Sequence, residues 1–401
     1  MISGTRRLNL TTGARRLRGV RQSSAALMGA AVARWASPLV VAGAISALYA
    51  IVALVAVHPA VAPGTEGFGY TGDTPLHGLM RWDGAWYAAI AQHGYAGIAG
   101  RYQPAAFFPL FPAAVAALHT LLPFVAIPAA GGAINFVATM AGALLIDSAL
   151  IGWSRRERLL TVAVLLLVPS AFFDVAFYSE ALFFFATALV IWAATAPRRL
   201  WWGAAAVAFA TLDRPVGVLL AVIVLAAAHR FNVGRRHEMQ LAIACGTGIV
   251  VLLVTYWLST GSPVAFIAAQ DGWTSLRTLG VTDGFRWLAV QLNPFTATNP
   301  VVSFGYWELL VVAVPLILLA RRRGSPVMYS ASGVAVAFVL GGVGTQSRYL
   351  AAIVPLWLGA IAALRTRTTH TWTVVMVSAV VVGLCSNLWL VTRFAAGLWA
   401  G

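Results

Sequence analysis

Asp83 stands in Arg81-Trp82-Asp83-Gly84-Ala85-Trp86-Tyr87, a carboxylate bracketed by aromatic residues in a chain where 401 residues carry only twelve acidic side chains. Tryptophan and tyrosine favour the boundary between hydrocarbon and water, so Trp82, Trp86 and Tyr87 are expected to act as interfacial anchors. They would hold the carboxylate near headgroup level. Glu180 follows Tyr178-Ser179 and precedes Ala-Leu-Phe-Phe-Phe, a costly place for an ionised group unless it is paired or functional. A helix-capping carboxylate is the competing reading. Asp213-Arg214-Pro215 sets opposite charges between two apolar pieces, either as an internal pair or as a working site. Finally, Gly344-Thr345-Gln346-Ser347-Arg348-Tyr349 leads to a lone arginine, whose planar fork suits a phosphate, with a headgroup anchor as the plainer role.

These residues need elements to carry them, and the elements are membrane helices. A chain that is 60% hydrophobic and 10% charged would cover a soluble domain with apolar surface. Apolar runs at 38–58, 128–151, 239–258, 301–320 and 371–394 are long enough to cross ~30 Å of hydrocarbon. Shorter runs at 159–173, 179–196, 200–212, 215–229, 326–343 and 349–364 complete a set of about eleven spans. The expected fold class is therefore all-α and polytopic. Cys245 and Cys385 fall inside spans and read as buried structural thiols.

The formal charge of +15 comes entirely from arginine, gathered in short clusters between apolar runs: Arg155/Arg156/Arg158, Arg198/Arg199, Arg230/Arg235/Arg236, Arg321 to Arg323 and Arg365/Arg367. That is a topology signal and excludes a nucleic-acid groove. The five clusters face the cytoplasm together only if the proline-broken stretch 107–122 lies along the surface instead of crossing. Residues 1–34 are then a disordered basic cytoplasmic tail before a retained signal anchor. Residues 35–401 form one transmembrane domain, with large external loops at 59–127 and 259–300. Eight acids (Glu66, Asp73, Asp83, Asp174, Glu180, Asp213, Asp271 and Asp283) lie on the external side. Glu66, Asp73 and Asp283 read as solvated loop charge.

In this order the motifs resemble the PIG-V-type mannosyltransferases of the GT-C superfamily of membrane glycosyltransferases. The resemblance is carried by Trp82-Asp83-Gly84 with Trp86-Tyr87, by His93-Gly94-Tyr95, and by Ala106 to Pro112. Pro169 to Phe173 with Tyr178-Ser179-Glu180, Arg214 with Gly217, and Gly261-Ser262-Pro263 with Phe266, Gln270 and Trp273 extend it, and Arg348-Tyr349 with Pro355 closes it. The sequence departs from the family pattern at Pro215, where a small polar residue is usual, and its first-loop motif carries the one aspartate Asp83 where relatives outside PIG-V often have two acids.

The resemblance implies a GT-C-like fold with juxtamembrane helices in the first external loop. It also implies an enzyme that moves a sugar, most plausibly mannose, from a polyprenyl-phosphate donor to a lipid-linked or protein acceptor, with inversion, outside the membrane. Asp83 and Glu180 become the catalytic candidates, with the choice of base between them open. Arg348, then Arg214, would bind the donor phosphate. Trp82, Trp86, Tyr87, His93, Tyr178, Asp213, Gln270, Trp273 and Gln346 would line the substrates. A single leaving phosphate requires no metal, although Mg²⁺ at Asp83 and Glu180 is compatible with the residues. The expected partners are membrane lipids, the donor and the acceptor; neither the sequence nor the resemblance specifies a partner subunit. The rival classes are a secondary transporter coupled through Asp213 and Arg214 in broken helices, and a non-catalytic envelope-assembly scaffold.

Overall fold

The protein is described by a computed structural model over residues 37–56, 78–96, 104–271, 348, 351–365 and 368–398, the side chains of Gln270, Asp271 and Ala363 apart. The tail 1–34, Trp273, Gln346 and the expected spans at 301–320 and 326–343 lie outside these residues. Every regular element among the described residues is helical.

Four helices have the length and composition to cross a membrane: α1 (Ser37–Ala56), α4 (Ile127–Ala149), α9 (Arg235–Thr260) and α12 (Thr369–Ala395). At 20 to 27 residues they reach about 30–40 Å, and each coincides with an expected span. Between them lie α2 (Asp83–His93), α3 (Leu110–Leu121), α5 (Arg155–Leu167), α6 (Glu180–Ala193), α7 (Leu200–Asp213), α8 (Ala221–Arg230), α10 (Ala265–Asp271) and α11 (Val354–Leu364). The twelve residues of α3 extend only about 18 Å, too short to cross. One face of α3 buries Phe111 and Val115, while Leu121 and the following Phe124 are exposed.

Local chemistry sets several boundaries. Ser154 and Glu157 close a reciprocal capping box at the start of α5. At its other end α5 stops at Leu167, short of the expected 173, because Pro169 removes a donor. The run 215–229 likewise begins as a 3-10 turn over Pro215–Leu220 before α8. At Gly383, α12 rides directly on α5: a Cβ there would lie 2.0 Å from the Leu167 carbonyl oxygen.

Helix directions follow from contacts. Gly131 and Gly142 of α4 receive the rings of Phe177 and Phe184, so α4 and α6 run parallel. Arg158 pairs with Asp147 at 3.0 Å, Arg155 donates to Ser37, and Arg365 donates to Glu157 at 2.8 Å. Arg230 reaches the Ala194 carbonyl at 2.7 Å. The described arginine-rich connections therefore share one end of the bundle. The start of α6, the end of α7 and the end of α12 share the other. Of the two cysteines, Cys245 is buried, whereas Cys385 faces outward because its position on α12 points away from α5.

Candidate active site

At the end away from the arginine connections, five charged side chains from distant stretches of sequence meet. Arg348 donates from Nη1 to Asp83 Oδ2 at 2.7 Å, and its Nε lies 3.2 Å from Glu180 Oε1. The same Oε1 accepts from Arg214 Nη2, and Arg214 Nε sits 3.7 Å from Asp213 Oδ2. Three carboxylates and two guanidiniums form one chain, with a formal sum of −1. Glu180, Asp213, Arg214 and Arg348 are all at most 7% exposed, while Asp83 keeps more access, with a side chain 19% exposed. Their mutual pairing offsets part of the cost of such burial.

Asp83 owes its position to a tight turn. Trp82 adopts φ 57° and ψ −119°, a sparsely populated conformation for a bulky residue, and α2 begins at the next position. Tyr178 holds the turn in place: its hydroxyl donates to the Arg81 carbonyl at 2.9 Å and accepts from the Asp83 amide at 3.1 Å. Arg81 reaches the Ala395 carbonyl at the end of α12, and the Phe177 amide donates to the Leu79 carbonyl at 2.8 Å.

Glu180 opens α6. The N-cap Ser179 makes no side-chain capping bond there, and the Glu180 side chain turns to the two arginines. Cap geometry is therefore not its role. Arg348 also lies 5.4 Å from the Phe173 ring and 5.3 Å from the Tyr178 ring, within cation–π range. After Asp213 the chain turns back so closely that a Cβ on Gly217 would come within 2.4 Å of the Ala210 backbone. The turn therefore packs tightly against α7.

The other sequence candidates divide. Trp86 and Tyr87 are buried, not interfacial anchors: Trp86 stacks on Phe107 at 5.4 Å, and Tyr87 packs edge-on to Phe107 and Phe111. The cause is the segment leading into α3: Phe107, just before the helix, covers both rings, and Phe111 of α3 adds to the cover of Tyr87. The Tyr87 hydroxyl is 3.3 Å from Ser179 Oγ, beside Glu180. Tyr178 is 1% exposed with its hydroxyl engaged, so it supports the site from beneath instead of lining a substrate. Trp82 is half-buried at the turn. His93 is exposed at the far end of α2, about 15 Å along the helix from Asp83. Gln270 belongs to α10, its side chain outside the described residues, as are Trp273 and Gln346.

The candidate metal ligands Asp83 and Glu180 share the Arg348 guanidinium, a cation already occupying the position between them. Among the described residues no cluster of three or more metal-ligating side chains exists.

Sequence reasoning missed two buried asparagines. Asn135 of α4 donates to the Ala176 and Tyr178 carbonyls, and Asn387 of α12 holds the backbone around Phe172. Both lie in apolar runs, where an amide needs partners, and that cost was the available signal.

Residues 69–242 match the family model described as Mannosyltransferase (PIG-V), which is the resemblance expected from the motifs. The matched stretch contains Asp83, Glu180, Asp213 and Arg214. No curated protein matches the chain. Among solved structures, the archaeal oligosaccharyltransferase AglB from Archaeoglobus fulgidus, in complex with an inhibitory peptide and a dolichol-phosphate, aligns with a TM-score of 0.42 and 10% identity over 90% of this chain and 56% of that one. The Archaeoglobus fulgidus oligosaccharyltransferase in complex with Zn and sulfate aligns with a TM-score of 0.41 and 10% identity, over 89% and 53%. The chain thus spans a little over half the length of these structures.

Proposed function

We propose that the protein is a membrane glycosyltransferase that moves mannose from a polyprenyl-phosphate donor to a hydroxyl of a lipid-linked or protein acceptor. The observation that carries this reading is the Asp83–Arg348–Glu180–Arg214 network within a chain whose residues 69–242 match the mannosyltransferase family. It supplies a carboxylate with access to solvent beside two guanidiniums suited to a phosphate.

In a single displacement, the acceptor oxygen attacks the anomeric carbon from the face opposite the phosphate, so configuration inverts. The new C–O bond forms as the bond from the anomeric carbon to the phosphate oxygen breaks. Asp83 takes the hydroxyl proton, and the departing polyprenyl phosphate keeps the bonding electron pair. Its growing charge is met first by Arg348, then by Arg214, which are held in a pre-set arrangement. Glu180 fixes both guanidiniums through one oxygen, which favours it as their counterion over the role of base. The chemistry proposed uses no metal.

The arginine-rich end would face the cytoplasm by the positive-inside bias, which puts the network toward the extracytoplasmic face of the cell membrane. The match of residues 69–242 to the mannosyltransferase family favours this enzyme over a transporter.

Membranes containing the protein are incubated with labelled polyprenyl phosphate mannose, and lipids and proteins are extracted separately. Label in either fraction, lost on Asp83→Asn, supports the proposal. Label in neither, under conditions where a related enzyme works, rejects it.

A further inference from the structure

The segment from Val168 to Ser179, between α5 and α6, carries both aromatic walls of Arg348 and the tyrosine that secures Asp83, yet it has little regular structure of its own. One short 3-10 turn, Ala171–Asp174, follows Ser170 in the left-handed region at φ 67°. Its backbone groups need partners in a packed interior, and two asparagines from neighbouring helices provide them.

Asn387 works at the front of the segment. Its Oδ1 accepts from the Phe172 amide at 3.0 Å, and its Nδ2 donates to the carbonyls of Leu167 at 3.0 Å and Val168 at 2.9 Å. Asn135 works at the back. Its Nδ2 donates to the carbonyls of Ala176 and Tyr178, the latter at 3.0 Å. The orientation of this amide follows from chemistry, since two carbonyl oxygens can only be served by the NH₂ group. Asn135 Oδ1 has no hydrogen-bond partner among the described residues, so what this side chain contributes there is its donors. Both asparagines are fully buried.

We infer that Asn135 and Asn387 are positioning residues of the active site, each fixing one end of the Val168–Ser179 segment and through it one half of the machinery. Asn387 fixes Phe172 and with it Phe173, whose ring flanks Arg348. Asn135 fixes the Tyr178 backbone, and the Tyr178 hydroxyl holds the Asp83 amide. Tyr178 also flanks Arg348, but only it holds the Asp83 amide, whereas of these two charged residues Phe173 touches the arginine alone, so the two clasps weigh chiefly on different kinetic quantities. Losing the Asn135 clasp misplaces the base and lowers kcat. Losing the Asn387 clasp loosens the phosphate arginine and raises the KM for donor.

The inference rests on the proposed function, and its test separates the two. Asn135→Leu and Asn387→Leu are reconstituted beside the wild type, and kcat and donor KM are measured per mole of folded protein with polyprenyl phosphate mannose. A positioning hydrogen bond is worth about tenfold in the affected quantity. The expected result is that drop in kcat for Asn135→Leu with donor KM little changed, and that rise in KM for Asn387→Leu with kcat little changed. Tyr178→Phe should mimic Asn135→Leu, and the double variant should be no worse than either single one. Backbone amide exchange in the peptide spanning Asp83 should quicken in Asn135→Leu. If Asn135→Leu does not accumulate, Asn135→Ser, too short to reach both carbonyls, takes its place. Folded variants with wild-type kinetics and exchange overturn the inference, as do effects that simply add. Absence of transfer by the wild type overturns the proposed function instead, and the exchange result then decides the clasp alone.

Discussion

Arg348 donates to Asp83 at 2.7 Å across 265 positions of sequence. The contact brings the first carboxylate of the network against an arginine beyond the matched residues 69–242. It assigns to one atom pair the expected base and the expected phosphate ligand, which the proposed reaction uses together.

Asp83→Asn keeps the shape of the turn and removes the proton acceptor. Transfer should fall by about 10²- to 10⁴-fold, with unchanged yield of folded protein by size-exclusion chromatography. Sugar transfer near the wild-type rate would rule out Asp83 as base.

Glu180→Gln distinguishes a counterion from a base. Two buried guanidiniums lose the charge that holds them, so the protein should be destabilised by about 3 kcal/mol, the lower bound for breaking a buried pair, and donor KM should rise. A loss confined to kcat, as deep as that of Asp83→Asn and without a change in thermal midpoint, would make Glu180 the base.

Arg348→Lys retains the charge but loses the fork that reaches Asp83 and Glu180 at once. Donor KM should rise about 10- to 100-fold, the worth of one charge-assisted hydrogen bond. Titration with donor under single-turnover conditions measures it.

Gly217→Ala puts a methyl group into the Ala210 backbone at 2.4 Å. Overpacking of this kind costs about 1–3 kcal/mol, and the displaced turn carries Asp213 and Arg214. Thermal denaturation in detergent should show the cost, with a loss of transfer in the folded fraction.

At the opposite end, the hydrogen bond from Arg365 holds the Glu157 carboxyl at about 2, well below the usual carboxylate range. Glu157 sits in the first turn of α5, ahead of the apolar run. Because the folded value is the lower one, this pairing stabilises the protein fully above the unfolded value of about 4.3 and is lost as the pH falls toward 2. The difference in thermal midpoint between wild type and Glu157→Gln should be constant above pH 5 and vanish near pH 2.

The sequence reveals the bundle far better than it reveals the meeting of side chains. Spans such as 128–151 and 371–394 are readable because hydrocarbon demands an unbroken apolar run, and α4 and α12 fall within two residues of them at each end. Asp83, Glu180, Arg214 and Arg348 are readable as candidates because each charge is expensive where it stands. What joins them is tertiary. Nothing near Glu180 in sequence indicates that one oxygen will serve two arginines, and Ser179 points to a cap instead. Trp86 and Tyr87 look interfacial by type alone, and only the cover given by Phe107 and Phe111 reverses that. The asparagines carry a legible cost but no legible partner, since they serve backbone carbonyls, which every residue has.

The length of α6 sets a depth. Its fourteen residues, from Glu180 to Ala193, measure about 21 Å against ~30 Å of hydrocarbon. Just beyond its far end, Arg198 and Arg199 belong at the polar boundary. With those arginines at the boundary, Glu180 and the guanidiniums bound to it would lie several ångströms below the opposite surface of the hydrocarbon. In the proposed reaction, a sugar tethered to an isoprenoid would travel within the bilayer and meet the network from the side, already near that level. An acceptor arriving from water would have to descend to it, so in that reaction depth would select among hydroxyls before any contact with Asp83.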